Sequence, residues 1–237
     1  MLETVENPIL QCRNLTKRYG ASLALNAINL TIPRGKIVGL LGANGSGKTT
    51  LMKLASGILT PTSGEIIVCG QQTNLQTKTQ VSYLPDKNYL PDWMKVADII
   101  DYFGDFYQNF DKSKAFDMLR RLGISERDRL KHLSKGNKEK VQLILVMSRN
   151  AELYLLDEPI GGVDPAVRDY ILNTIISNYS ENATVLISTH LIADVEKILD
   201  EVNFIANGQL VLSSSVDDIR ENQGKSVDVL FREVFRC

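Results

Sequence analysis

The sequence predicts an α/β fold: a mainly parallel sheet, an antiparallel β subdomain toward the N-terminus and a helical insertion. Three observations carry that prediction. Apolar runs alternate with helix-length amphipathic stretches along the chain. Four of those runs, at residues 37–41, 81–85, 153–156 and 184–188, are almost continuously apolar, which suits strands covered on both faces of a sheet. From residue 88 to 148 strand-like runs vanish, and Trp93, Ile99, Tyr102, Phe103, Phe106 and Phe110 recur at helical spacing.

Taken in chain order, residues 9–12, 25–32 and 65–68 are short, more alternating runs and read as antiparallel strands. Residues 37–41 flow into a glycine-rich loop and then a helix from Lys48 to about Gly57. Residues 202–212 form a hairpin around Asn207-Gly208, the dipeptide preferred in tight two-residue turns. The tail, residues 216–237, is amphipathic and suits either a helix pair or a strap over the sheet. One domain is expected over residues 1–237: a core of about 1–87 and 149–215, a helical subdomain of about 88–148, and the tail.

With 43% hydrophobic and 23% charged residues, the 237-residue chain has the composition of a globular protein able to bury a core. Lys and Arg number 27 against 28 Asp and Glu, a net charge of −1, which argues against a basic nucleic-acid footprint over the whole surface. No nucleic-acid partner is expected. The densest apolar stretch, residues 141–147, is broken by Gln142 and is far shorter than the ~20 residues a spanning helix needs. The first residues are acidic and lack the basic and apolar regions of a secretory signal. Cys12, Cys69 and Cys237 are too scattered for a disulfide framework or a paired metal site. These features predict a cytosolic chain.

Gly42-Ala43-Asn44-Gly45-Ser46-Gly47-Lys48-Thr49-Thr50 matches the phosphate-loop pattern and lies between a predicted strand and a predicted helix, as that pattern requires. Glycines let backbone N–H groups turn inward around phosphate oxygens, and a helix N-terminus adds partial positive charge. Lys48 is expected to reach the β- and γ-phosphates, and the Thr49 hydroxyl to ligate Mg²⁺. Composition alone would produce the pattern in roughly one chain per hundred, and the strand–loop–helix context makes a mere helix-capping turn the weaker account. The nucleotide site predicted here places the fold in the P-loop NTPase class. The strand at 153–156 runs into Asp157 and Glu158, which puts two carboxylates at the carboxyl edge of the sheet, where α/β proteins bind ligands. Asp157 is expected to hold Mg²⁺ and Glu158 to polarise the attacking water.

Leu133-Ser134-Lys135-Gly136-Asn137 resembles the Leu-Ser-Gly-Gly-Gln signature of ATP-binding cassette (ABC) ATPases. The order of motifs is similar too: phosphate loop, helical insertion, signature, acidic strand. Gly161-Gly162-Val163-Asp164-Pro165 resembles that family's D-loop, and Ser188-Thr189-His190 its switch-histidine segment. Tyr19 stands where the family stacks an aromatic ring on adenine. The resemblance spans roughly residues 9–215. It implies ATP and Mg²⁺ as ligands, His190 as a catalytic partner of Glu158, and a head-to-tail dimer with a second ABC ATPase subunit, identical or not. In such a dimer Ser134, Gly136 and Asp164 would contact the nucleotide held by the other subunit.

Two positions depart from the family pattern. Asp86 follows Tyr83-Leu84-Pro85 where the family has a Mg²⁺-contacting Gln; a carboxylate is also a hard oxygen ligand. Lys135 and Asn137 replace Gly and Gln of the signature, and Lys135 is expected to point to solvent. His132, among lysines, reads as a solvated residue. The wording of the motifs is similar to short bacterial ATPases of the antibiotic-resistance and acetoin-utilisation type. That resemblance implies the motor of a membrane exporter with a separate permease chain, acting at the cytoplasmic face of the membrane. The aromatic insertion then offers a groove for a partner helix, besides serving as a core. A soluble ABC ATPase driving a cytosolic assembly, such as iron–sulfur cluster building, is the alternative. A non-hydrolysing nucleotide module is a third reading, disfavoured by the intact Glu158.

Overall fold

The computed structural model describes residues 7–179 and 182–235. The acidic start of the chain and Cys237 lie outside the described residues. Strands β1 (Leu10–Tyr19), β2 (Ser22–Ile32) and β3 (Ile37–Leu41) are followed by helix α1 (Lys48–Ala55). Next come β4 (Ser63–Val68), β5 (Gln71–Gln72), α2 (Leu75–Gln80) and β6 (Val81–Leu84). The insertion holds α3 (Val96–Phe106), α4 (Lys112–Arg121) and α5 (Lys135–Met147). The chain then returns to the sheet through β7 (Leu153–Asp157), α6 (Pro165–Asn178), β8 (Thr184–Thr189) and α7 (Ile192–Val195). It closes with β9 (Glu201–Ala206), β10 (Gln209–Ser215), α8 (Val216–Gln223) and α9 (Val227–Phe235).

Two sheets result. One is antiparallel, in the order β2-β1-β4-β5; the other runs β10-β9-β3-β8-β7-β6. In the second sheet β9, β3, β8, β7 and β6 are parallel to their neighbours, and only β10 turns back, against β9. All residues of β3, β7 and β8 are buried, which explains their unbroken apolar runs. The predicted α/β architecture, with its antiparallel β subdomain, is the one observed.

The boundaries differ from the expected ones for physical reasons. β1 runs on to Tyr19 rather than ending at Cys12, because it pairs with β2 on one side and β4 on the other through several bulges. α1 stops at Ala55, and the backbone reverses at Gly57, whose φ is +69°. α2, not expected, is short and is held by a capping box between Asn74 and Thr77. The hairpin turns at Asn207 and Gly208, both left-handed, as the Asn-Gly pair requires. The tail is a helix pair: Phe231 and Phe235 of α9 pack their rings on Phe204 of β9. In the insertion, Val141 to Met147 of α5 are entirely buried against the sheet, while Trp93, Tyr102 and Phe106 are exposed. Cys12 and Cys69 are free thiols.

Candidate nucleotide site

Four parallel strands end side by side, and the sequence places a polar residue just beyond or at each end. β3 delivers the loop 42–47, β6 delivers Asp86, β7 ends on Asp157, and β8 ends on Thr189 before His190. The loop closes on itself. Gly45 and Gly47 have φ of +81° and +111°, outside the comfortable range of residues bearing a Cβ. A Cβ on Gly47 would also stand 2.7 Å from the Ala24 carbonyl oxygen. The β9–β10 turn buttresses the loop from beneath, with Gly208 N–H donating to the Ser46 carbonyl at 2.9 Å.

Lys48 is only 5% exposed. Its ammonium donates to the carbonyls of Gly42 and Ala43, at 2.8 and 3.2 Å, and lies 3.5 Å from Glu158 Oε1. Glu158 adopts a left-handed backbone (φ +50°), a costly conformation for a residue with a side chain and one that clusters at working sites. Its amide is tied down by the Ser188 carbonyl at 3.0 Å. Its carboxylate accepts from the Thr189 hydroxyl at 3.1 Å, and His190 Nδ1 lies 3.1 Å from both of its oxygens. With its proton on Nδ1, His190 orients Glu158 and carries an acceptor at Nε2.

Asp157 is buried, and burial pushes its carboxyl above the ordinary range; hydrogen bonds from Ser188 and Thr49 draw it down, and the charges of Asp86 and Glu158 add to the rise. The Ser188 hydroxyl donates to Asp157 Oδ1, and the Tyr83 hydroxyl lies 3.5 Å from Oδ2. A cavity of about 300 Å³ is lined by Asn44, Gly45, Gly47, Lys48, Thr49 and Thr50 on one side and by Asp86 and Glu158 on the other.

The loop fits a phosphate chain. The Ser46 hydroxyl is buried with no hydrogen-bond partner among the described residues, and a Cβ on Gly45 would meet nothing within 4 Å. The donor set fits Mg²⁺ as well. Among the described residues no three His, Cys, Asp or Glu side chains form a metal cluster. Thr49, Asp157 and Asp86 instead supply a few hard oxygens beside the loop, the arrangement expected of an ion that also binds phosphates.

The structure thus brings together Lys48, Thr49, Asp86, Asp157, Glu158 and His190. It leaves Ser134, Gly136, Tyr19 and Asp164 outside that cluster. Ser134 caps α5, its hydroxyl accepting from Asn137 N–H at 3.3 Å, and is exposed; a Cβ on Gly136 would meet nothing within 4 Å. Asp164 is exposed at the start of α6, and Tyr19 is 49% exposed at the end of β1. Lys135 is 77% exposed with only a 3.8 Å approach to Glu139, and His132 is exposed, both in line with the solvated positions expected of them. Sequence reasoning named Ser188 and Thr189 only as part of the His190 segment, without a role for their hydroxyls, and gave the Tyr83 hydroxyl none. Ser188 and Thr189 left a faint signal, as polar residues closing a fully apolar strand.

Strand–loop–helix, loop glycines, and an acidic strand end with a histidine beside it define a P-loop nucleotide-binding protein. Comparisons with known proteins give the family. The ABC transporter family model matches residues 25–161. The ABC transporter ATP-binding protein YtrB of Bacillus subtilis is 31% identical over 90% of this chain and 74% of its own length. The lantibiotic transport ATP-binding protein SrtF of Streptococcus pyogenes is 30% identical over 88% and 92%. A solved ATP-binding subunit of an ABC transporter superposes with a TM-score of 0.84 at 27% identity, covering 96% of this chain and 99% of that one. The chain belongs to the ABC transporter family, as an ATP-binding subunit.

Proposed function

We propose that this chain hydrolyses ATP as the motor subunit of a bacterial membrane exporter, in a head-to-tail dimer of two copies that drives a separate permease chain. One observation carries the reading. The catalytic cluster is assembled around the buried Lys48 and Asp157, whereas the signature residue Ser134 stands exposed, its hydroxyl bonded only at 3.3 Å to its own helix start among the described residues, and a Cβ on Gly136 would meet nothing within 4 Å. A site so divided is completed by a second subunit presenting its signature to the first subunit's phosphate loop. No helix among the described residues is long and apolar enough to cross a membrane, in keeping with a separate permease. Among the relatives, SrtF is named for lantibiotic transport and LnrL of Bacillus subtilis, 28% identical over 91% of this chain, for linearmycin resistance; both support the exporter reading.

Thr49 and Asp157 would hold Mg²⁺, with Asp86 beside them, and the ion would supply charge neutralisation across the phosphates. The remaining chemistry belongs to side chains of this protein. Lys48 leaves its contact with Glu158 and turns to the β- and γ-phosphates as they displace the loop carbonyls from its ammonium. Glu158, freed from Lys48 but still held by Thr189 and His190, accepts hydrogen bonding from the attacking water and polarises it. His190 keeps that carboxylate oriented. Tyr19 stacks on adenine, and Asp164 lies at the dimer face beside the partner's nucleotide. ATP stabilises the closed dimer, and loss of the γ-phosphate releases it, because only the triphosphate bridges loop and signature.

The permease is proposed to dock in a groove of about 420 Å³ lined by Ile58, Tyr89, Phe103 and Tyr107, together with the cations Lys53 and Arg149. Its lining includes no carboxylate among the described residues, so the fitting segment is apolar and carries an Asp or Glu. On this reading the chain works at the cytoplasmic face of the membrane. Isolating the tagged chain from its own cells in mild detergent tests the reading. A stoichiometric polytopic membrane protein is the expected partner, and a soluble assembly factor in its place would overturn the exporter assignment.

A further inference from the structure

Tyr83 of β6 connects two places that the fold otherwise keeps apart. Its ring lines the 420 Å³ groove beside Tyr89 and Tyr107, and its hydroxyl lies 3.5 Å from Asp157 Oδ2. Asp157 Oδ1 accepts from the Ser188 hydroxyl, which is fully buried at the end of β8, and Thr49 also hydrogen-bonds the carboxyl. The Tyr83 hydroxyl is the looser contact, on Oδ2. At 3.5 Å that contact sits at the outer limit of a hydrogen bond, and a movement of about 0.7 Å would bring it to the ordinary O–H···O distance. A tyrosine hydroxyl is protonated near neutral pH, so Tyr83 can donate to that oxygen.

The groove is built so that pressure on it reaches this ring. Its lining includes Arg149, whose guanidinium lies 3.9 Å over the Tyr107 ring and donates to the carbonyls of Lys78, Thr79 and Val81. Those carbonyls belong to the end of α2 and the first residue of β6, the strand that carries Tyr83. The Tyr83 ring itself is half-buried and packs against the apolar cluster that includes Leu51, Met52 and Leu54 of α1. An occupant of the groove therefore touches the Tyr83 ring and also Arg149, which is hydrogen-bonded to the first residue of the same strand.

We propose that Tyr83 is a positioning residue whose ring reports what fills the groove and whose hydroxyl sets the orientation of Asp157 Oδ2. It has two arrangements, bonded and unbonded to that oxygen, and both the groove and the metal side bias the choice. The proposal rests on the reading of Asp157 as a Mg²⁺-holding residue and of the groove as the permease dock. It makes Tyr83 a direct mechanical link between partner binding and the readiness of the site.

The test is binding of a fluorescent ATP analogue to the full chain across a Mg²⁺ titration, which needs no turnover. Tyr83→Phe keeps the ring and removes the hydroxyl. The Mg²⁺ concentration at half-effect should rise about three- to tenfold, as loss of an orienting neighbour of a metal ligand does, with Mg²⁺-free nucleotide affinity and Tm unchanged. A half-effect concentration within twofold of the parent would overturn the positioning role. Tyr89→Ala, on the groove wall, should shift the Mg²⁺ half-effect in the parent and leave it unmoved in the Tyr83→Phe background. Equal shifts in both backgrounds would overturn the groove link. Should Tyr83→Phe not fold, the absence of any Tyr89→Ala shift in the parent overturns the link by itself. A parent whose nucleotide binding ignores Mg²⁺ would remove the Asp157 reading and this proposal together, a result distinct from a Mg²⁺-sensitive parent with an unaltered variant.

Discussion

The two sides of the nucleotide site differ in how finished they are. On the core side, Lys48, Asp157, Ser188 and Thr189 are buried, and each has defined partners within the chain. On the insertion side, among the described residues the Ser134 hydroxyl bonds only to its own helix, and a Cβ on Gly136 would face open space. Both carry motif residues, yet only one has been folded into a working geometry. The comparison teaches that motif density is not site completeness. The core side is pre-organised by strands whose ends the parallel sheet lines up, while the insertion side is an exposed helix start whose ligand must come from elsewhere.

The sharpest way to break the comparison is chemical. Glu158→Gln should lower phosphate release by about a hundredfold or more while retaining ATP binding, because it removes polarisation of water but no phosphate contact. Turnover near that of the parent would show that the core side is not where the reaction is run.

Two glycine substitutions sharpen the contrast next. Gly47→Ala forces a Cβ onto a backbone with φ +111°, 2.7 Å from the Ala24 carbonyl oxygen, so both Tm and nucleotide affinity should fall. Gly136→Ala has room for its methyl and sits in a helix, where Ala is favoured by about 1 kcal/mol. It should hold or raise Tm, leave monomer nucleotide affinity unchanged, and lower turnover about tenfold or more. Calorimetry alongside a turnover assay reads both; a Gly136→Ala protein with full turnover would mean the helix start meets nothing during the cycle.

A smaller loss is expected at Asp86. Its replacement by Ala should lower turnover by about tenfold with a modest change in ATP affinity, since the carboxylate stands beside the phosphate loop without being part of it. Unchanged turnover would remove Asp86 from the site. The least effect is reserved for Cys12 and Cys69 of the antiparallel subdomain, neither of which lines the nucleotide cavity. Burial pushes the Cys12 thiol up to about 12, and burial with the Glu152 charge pushes Cys69 to about 11 against the opposing Arg34. Alkylation of native protein at pH 8, mapped by mass spectrometry, should be slow at both and should quicken with pH as thiolate forms. Rapid labelling of Cys12 at pH 8 would mean that β1 opens readily.

Much of this was legible in the chain alone because the parallel strands are short, wholly buried and therefore unbroken in hydrophobicity. The phosphate loop and Asp157-Glu158 follow directly from such strands, so their meeting could be read from order. Tyr83, Ser188 and Thr189 could not be singled out the same way. Their value lies in contacts between strands distant in sequence, Ser188 to Asp157 and Thr189 to Glu158, and no local pattern marks a hydroxyl that will be opposite a carboxylate. The extent of β1 was hidden for a related reason: bulges break the alternation that a strand reading depends on. The exposure of Ser134 was equally invisible, because the same letters would serve a buried cap.

The central claim is that each chain holds half of a site. Mixing equal amounts of a Lys48→Ala chain and a Ser134→Ala chain, each nearly inactive alone, tests it directly. In a head-to-tail dimer one mixed site pairs an intact loop with an intact signature, so activity should recover to about a quarter of the parent's on statistical pairing. No recovery on mixing, although the two chains form a mixed dimer with ATP, would contradict it, as would a Ser134→Ala chain that turns over normally on its own.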